Sequence, residues 1–435
     1  MTRSLWVVVH RWLGLFMAAF LLIAGITGTA LCFYPEIQLA LNPKWQKVDP
    51  QHNYLDAKQI VAEVEKKYPN LSVSTVDFRG MDEVASVRVT PKMQHGNGQR
   101  QGQGQGQGQG HNHAKANLPF DRIILDPKTG AIVDTVKTND IAKGGISRLG
   151  EFLLYLHFQL SLGKIGTLFM GIVAIIWLLD SFVNFYLTLP KLKPAQTGED
   201  DVNHKNFWQR WSPSWKIRTK SGGYKLNFDL HRAFGLWLWA VLVIFAWSSF
   251  QFNFHMDLYP KLMKTISDYE TTSDTLPKLK KPLMNPKIDW GQAQELGNSY
   301  AKSELEKIGV EPIAPVRIFY NPRSGAYYYQ TTTTKDLEDR PRHHGTMVYI
   351  DGNSGKMLRF SRPTGEHWGN TLSSWTASLH SGVVFGWAYR IFVSLLGLVV
   401  AGLSLTGFII WIKKRGARQT AKIRIKQKLL PAAAE

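Results

Sequence analysis

A chain of 435 residues, 44% hydrophobic and 20% charged, has the bulk composition of a soluble protein, but its apolar residues are gathered into long runs instead of being spread at core-forming periods. A formal charge of +19 invites a nucleic-acid reading, which the placement of the charges argues against. The single cysteine, Cys32, cannot form an internal disulfide, so any domain outside the membrane must stand on its own core.

The first apolar run, Trp12 to Phe33, is long enough to cross a bilayer as a helix, for which about 20 residues are needed. It follows Arg3 and resembles a signal peptide in position. It ends, however, in Cys32-Phe33-Tyr34-Pro35 and not in a small-x-small cleavage site, so it is expected to be retained, with Tyr34-Pro35 stopping the helix. At its mouth stands His10-Arg11-Trp12-Leu13-Gly14-Leu15. The segment that follows predicts an amphipathic helix over Leu55–Tyr68 and strands over Ser72–Phe78 and Ala85–Thr90. Residues Gly96–Gly110 are a Gln-Gly repeat with no side chains able to offset the entropy of ordering, read as a flexible insertion (96–117). A hairpin then runs from Arg122-Ile123-Ile124-Leu125-Asp126 through Pro127-Lys128-Thr129-Gly130 to Ala131-Ile132-Val133.

A second run, Ile165–Leu189, is introduced by Leu156-His157 and leads to a basic loop. The plan then repeats. His231-Arg232-Ala233-Phe234-Gly235-Leu236 opens the run Ala233–Phe252, 221 positions after the first motif. Trp290–Ile308 predicts a helix, Val316–Tyr320 and Ala326–Thr331 predict strands, and Val348 to Leu358 closes a hairpin in which Asp351 stands 225 positions after Asp126. Leu379-His380 introduces the last run, Ile391–Ile412, 223 positions after Leu156-His157. The near-constant offset marks a tandem duplication of span, outer α+β domain and span.

Charge placement orients this plan. Pro35–Gly150 carries 15 Lys/Arg against 12 Asp/Glu and Phe254–Leu379 carries 16 against 14, whereas Pro190–Leu230 has 8 against 4 and the tail from Lys413 has 8 against 1. By the positive-inside rule the loop, the tail and Arg3 are cytoplasmic, and the two large segments are outside. The expected layout is transmembrane helices at 1–34, 149–190, 231–254 and 379–412, outer domains at 35–148 and 255–378, a cytoplasmic loop at 191–230 and a basic tail at 413–435.

Four of the 13 histidines occupy equivalent mouths of spans in the two repeats, where a polar ring is costly and points to function. His10 and His231 begin outward-running spans and lie near the inner face; His157 and His380 begin inward-running spans and lie near the outer face. A hydrocarbon core of about 30 Å separates the two levels, so shared ligation pairs His10 with His231 and His157 with His380. Two axial imidazoles suit a b-type haem with no open position for oxygen. Zinc would want three or four ligands, and no Cys, Asp or Glu recurs beside these histidines. Without a Cys-x-x-Cys-His motif, a covalent c-type haem is excluded. Gly14, Gly235, Gly163 and Gly386 either let a flat macrocycle approach or serve ordinary helix packing. Arg11 and Arg232 either meet haem propionates or snorkel to the interface. Two stacked haems would form a transmembrane electron wire. Asp180, whose repeat counterpart is Leu403, is read as assisting a proton or a propionate or as a helix-helix hydrogen bond; His255 reads as an interfacial histidine; His95, His111, His113, His343 and His344 read as hydrophilic linker.

The repeated His-Arg-x-x-Gly-Leu starts, the Asp-x-x-Ser/Thr-Gly hairpins and the Leu-His second starts resemble PepSY-associated transmembrane proteins, particularly the ferric-siderophore reductases among them. The resemblance spares only the Gln-Gly insertion and the basic tail. It implies a membrane α-helical fold with four transmembrane helices and two periplasmic α+β PepSY-type domains, two b-type haems, and reduction of a ferric siderophore at the inner membrane. Some relatives carry a fused flavin reductase domain; the short tail here leads to the expectation of a separate cytoplasmic electron donor. The competing expectation is a non-enzymatic membrane protein whose PepSY-type domains bind and regulate a periplasmic partner.

Overall fold

The computed structural model describes residues 2–49, 52, 54–92, 118–138, 145–191, 206–276, 278–337 and 345–429. The Gln-Gly insertion and His95, His111, His113, His343 and His344 lie outside the described residues. In chain order the principal elements are α1 (Arg3–Leu31), α2 (Tyr34–Leu41), α3 (Ala57–Lys67), β1 (Leu71–Asp77), β2 (Ser86–Pro91), β3 (Arg122–Leu125), β4 (Ile132–Val136), α4 (Leu149–Gln159) and α5 (Gly163–Thr188). The second half follows with α6 (Gly223–Trp237), α7 (Trp239–Phe254), α8 (Leu258–Ile266), α9 (Trp290–Glu306), β5 (Pro312–Asn321), β6 (Ala326–Thr333), β7 (Thr346–Asp351), β8 (Met357–Ser361), α10 (Trp368–Ser381) and α11 (Gly386–Leu429). The chain clusters into two units, one of Met1–Cys32, Leu154–Asn253 and Ile391–Glu435, the other of Phe33–Leu153 and Phe254–Arg390.

The second unit is built on one antiparallel sheet of eight strands in the order β4-β3-β2-β1-β5-β6-β7-β8. The sequence reading divides these strands between two domains; the structure joins the two four-stranded halves edge to edge through β1 and β5, with Val76 opposite Ile318 and Asp77 opposite Arg317. Pairing covers the edge that each half would otherwise leave open. Each half supplies one helix to the same face. In α3, Ala57, Ile60, Val61 and Val64 follow the helical i, i+3, i+4, i+7 spacing and are buried with Val76, Val87 and Ile123. In α9, Ala293, Ala301 and Leu305 join Ile318, Tyr327, Tyr329 and Ile350 in the same core. Both helices begin with a reciprocal capping box, Asp56 with Gln59 and Asp289 with Gln292. Gln294 then accepts a hydrogen bond from Ala57 N at 2.7 Å, tying one repeat to the other.

Both hairpins expected from the Asp-x-x-Ser/Thr-Gly pattern form. Asp126 Oδ1 accepts from Lys128 N at 2.8 Å and Thr129 N at 3.2 Å, and Gly130 turns the chain at φ +73°. Asp351 Oδ1 accepts from Ser354 N at 2.7 Å and Asn353 N at 3.0 Å, with Gly355 at φ +71°. The carboxylate satisfies turn amides that no strand partner reaches, and glycine adopts the left-handed conformation at no steric cost.

The β1–β5 junction carries a buried charge. Asp77, 2% exposed, is hydrogen-bonded by Arg317 and faces Arg88 at 4.0 Å. Burial by itself would raise its carboxyl, but the guanidiniums of Arg317, Arg88 and Arg122 outweigh that and hold it below the usual carboxylate range. A depressed folded value means that the stabilisation is complete above the unfolded value of about 3.9 and is lost as pH falls through the folded one. Arg317→Ala should therefore lower stability by about 2 kcal/mol at neutral pH. The deficit relative to wild type should shrink below about pH 4. Thermal melts of both proteins between pH 7 and 3 check this; a deficit independent of pH would contradict it.

In the first unit, α1, α5 and α11 are each long and apolar enough to span a membrane, and α6 with α7 qualifies together as one span bent by 72° at Leu238. The break differs from the unbroken third span expected from sequence. Trp239 Nε1 donates to Ser181 O at 2.9 Å just beyond it, fixing the bend against α5. The histidines expected at the starts of the second and fourth spans instead occupy separate short helices, His157 in α4 and His380 in α10. Leu160, Ser161 and Gly163 follow α4 at φ +53°, +54° and +61°, and Gly382, Phe385 and Gly386 follow α10 at φ +66°, +57° and +66°. Gly163 and Gly386 thus serve the backbone turn into a long helix, and Gly163 has open space where a Cβ would stand. As expected, the first helix ends ahead of Tyr34-Pro35, at Leu31; Pro35 then stands in the first turn of the further helix α2, where a missing N–H costs nothing.

Candidate functional site

His10 lies on α1 and His231 on α6, and the fold brings their rings to a centroid separation of 6.2 Å at an interplanar angle of 51°. Each Nδ1 is already engaged. His10 Nδ1 donates to Asp180 Oδ2 at 2.8 Å, and His231 Nδ1 donates to Leu403 O at 3.1 Å and to Thr406 Oγ1 at 3.0 Å. This leaves Nε2 of each ring as the available ligand atom, the arrangement that metal-ligating histidines adopt. A metal held between two such nitrogens at about 2.0 Å places the ring centres roughly 6.3 Å apart, so the pair fits a shared axial site.

The two rings line a cavity of about 360 Å³ whose walls come from α1, α5, α6, α7 and α11. Gly14 and Gly235 are both in its lining, and no atom lies within 4 Å of where a Gly14 Cβ would stand. Their lack of side chains therefore keeps the cavity open, as a flat ligand needs. Five cations, Arg3, Arg11, Arg232, Lys414 and Arg418, are in the lining with one carboxylate, Asp180. Arg11 Nε and Arg232 Nε are buried with no hydrogen-bond partner among the described residues, a cost that an anionic ligand would relieve. Arg232 also bonds Asp229 Oδ1 at 3.0 Å and Pro213 O at 2.6 Å, so it is held in place in a way that Arg11, lying over the Trp12 ring, is not.

His157 belongs with the membrane helices, and its Nδ1 lies 3.0 Å from Thr27 Oγ1. Because that hydroxyl donates to Ile23 O at 2.7 Å, it accepts from His157 Nδ1. His380 stands in the last turn of α10 in the sheet-bearing unit, two residues before the left-handed Gly382. Among the described residues no group of three or more His, Cys, Asp or Glu is arranged to hold a metal ion.

Two braces escaped sequence reasoning. A Thr-Gly pair supports a histidine in each case: Thr27-Gly28 supports His157, and Thr406-Gly407 supports His231. A Cβ on Gly28 would meet His157 Cε1 at 3.0 Å, and one on Gly407 would meet His231 Cε1 at 3.1 Å. The available signal was a Thr-Gly dipeptide inside an otherwise apolar run. Valine at Gly407 should push the His231 ring from its place and, if the site holds haem, reduce its retention there to less than half, whereas Gly407→Ser should be milder; haem content per purified protein measures it.

Membrane-length helices carrying a polar, histidine-lined cavity, together with an antiparallel α+β unit, define a multi-pass membrane protein. The chain belongs to the family of the PepSY-associated TM region, whose family model matches residues 7–414. Comparison with curated proteins gives no match.

Proposed function

We propose that this protein carries electrons across the bacterial inner membrane from a cytoplasmic donor to a periplasmic ferric siderophore, through two b-type haems ligated by His10 with His231 and by His157 with His380. The observation that carries the reading is the His10–His231 pair: 6.2 Å between ring centres, with both Nδ1 atoms occupied by hydrogen bonds. Held by these imidazoles, a haem would supply reversible one-electron chemistry suited to electron transfer.

The residues divide the remaining work. Asp180, Leu403 and Thr406 orient the two imidazoles, Gly14 and Gly235 keep the cavity open, and Arg11 and Arg232 supply positive charge for propionates. The basic lining from Arg3, Lys414 and Arg418 supports a cytoplasmic place for this site and for both termini under the positive-inside rule. The pairing of His157 with His380 rests on their equivalent places in the repeat, at the opposite level of the bilayer. There each electron reduces one Fe(III) to Fe(II), which hard oxygen chelators bind far more weakly, so iron is released. Stopped-flow reoxidation of the reduced protein by a panel of ferric and cupric complexes tests the substrate. Ferric siderophores should reoxidise it fastest; equal rates with every complex would contradict a siderophore role.

A further inference from the structure

The two histidines of the inner pair are held by chemically different partners, although they begin equivalent spans of the repeat. His10 Nδ1 donates to a carboxylate, Asp180 Oδ2, at 2.8 Å. His231 Nδ1 donates to a main-chain carbonyl, that of Leu403, at 3.1 Å, and to the neutral hydroxyl of Thr406 at 3.0 Å. Leu403 stands 223 positions after Asp180, at the corresponding point of the second repeat. The same place in the two helices thus supplies a side-chain anion to one ring and only a peptide dipole to the other.

Asp180 is 4% exposed and sits in the cavity lining, and its Oδ1 has no hydrogen-bond partner among the described residues. An anion in so poorly screened a place acts strongly on charge nearby. Hydrogen-bonded to the far nitrogen of a ligating imidazole, it increases the electron donation of that ring and favours the more positive, oxidised iron.

We propose that Asp180 is a positioning residue that lowers the reduction potential of the haem held by His10 and His231. The proposal rests on the haem assignment above.

The test is a spectroelectrochemical titration of the purified full-length protein in detergent, comparing wild type with Asp180→Asn and Asp180→Glu. In Asp180→Asn, which keeps the side-chain size and an acceptor oxygen, the reduction equilibrium of one haem should shift at least tenfold toward the ferrous form, which is 59 mV or more upward, with the other haem unmoved. Asp180→Glu, which retains the charge, should return that haem to within a factor of about three of wild type in the same equilibrium, roughly 30 mV. An unchanged potential, an equal shift of both haems, or loss of the haem in Asp180→Asn would assign the side chain a structural role and overturn the proposal. Wild-type protein without haem would instead sink the functional reading on which it rests.

Discussion

If the proposed haem ligation holds, alanine at His10 or at His231 should remove one and the same haem, and alanine at His157 or His380 should remove the other. Each variant is expected to retain about half of the wild-type haem, and the retained half should be spectrally identical within each pair. His10 and His231 share one cavity with ring centres 6.2 Å apart, so an iron held between them would lose a ligand with either substitution. On the proposed topology a hydrocarbon core of about 30 Å would separate the two levels and rule out ligation within a repeat. Pyridine haemochrome quantification with low-temperature spectra distinguishes the cases. Depletion of the same haem by His10→Ala and His157→Ala would overturn the pairing.

Leucine at Gly25 should abolish the folded membrane unit. At this position α1 and α11 touch backbone to backbone: a Cβ on Gly25 would meet Gly397 O at 2.6 Å and Ala401 N at 2.9 Å, and one on Gly397 would meet Gly25 O at 2.7 Å. The same contact is closed by reciprocal hydrogen bonds, Thr29 Oγ1 to Ser394 O at 3.0 Å and Ser394 Oγ to Thr29 O at 3.1 Å. Helices in a bilayer associate through such small-residue contacts because lipid offers no hydrophobic drive between them. A single methyl at this point costs about 1–3 kcal/mol of overpacking. A leucine cannot be accommodated without separating the helices, and the obstacle is backbone on both sides. Size-exclusion profiles and thermal melts in detergent should show Gly25→Ala destabilised and Gly25→Leu aggregated; a Gly25→Leu protein that melts with wild type would contradict the crossing.

The local structure was largely legible in the chain, because its signals are local. Apolar run lengths located the membrane helices, and Asp126 and Asp351 with their Ser/Thr-Gly followers located both hairpins within a residue or two. What escaped depends on partners distant in sequence. The union of the two sheet halves lies in the pairing of β1 with β5, and neither strand's hydrophobic pattern names its neighbour. The bend at Leu238, a turn beyond Gly235, is met by the hydrogen bond from Trp239 to Ser181 of α5, a partner that the sequence does not name.

The site divides in the same way. Repetition alone singled out His10, His231, His157 and His380, and the structure brings the first two together. Asp180 was visible as a charge in an apolar run, but its lack of a repeat counterpart hid the fact that the equivalent Leu403 contributes its carbonyl. Gly14 and Gly235 serve the cavity, whereas Gly163 and Gly386 serve turns at positive φ, a difference that their shared spacing from histidine conceals.

The central claim is that the four histidines hold haem for electron transfer. A reduced-minus-oxidised absorbance spectrum of the purified protein, with haem counted per chain, addresses it most directly. The account predicts the sharp α-band of low-spin b-type haem at two haems per chain. A featureless difference spectrum from folded, monodisperse protein expressed with ample haem would contradict it.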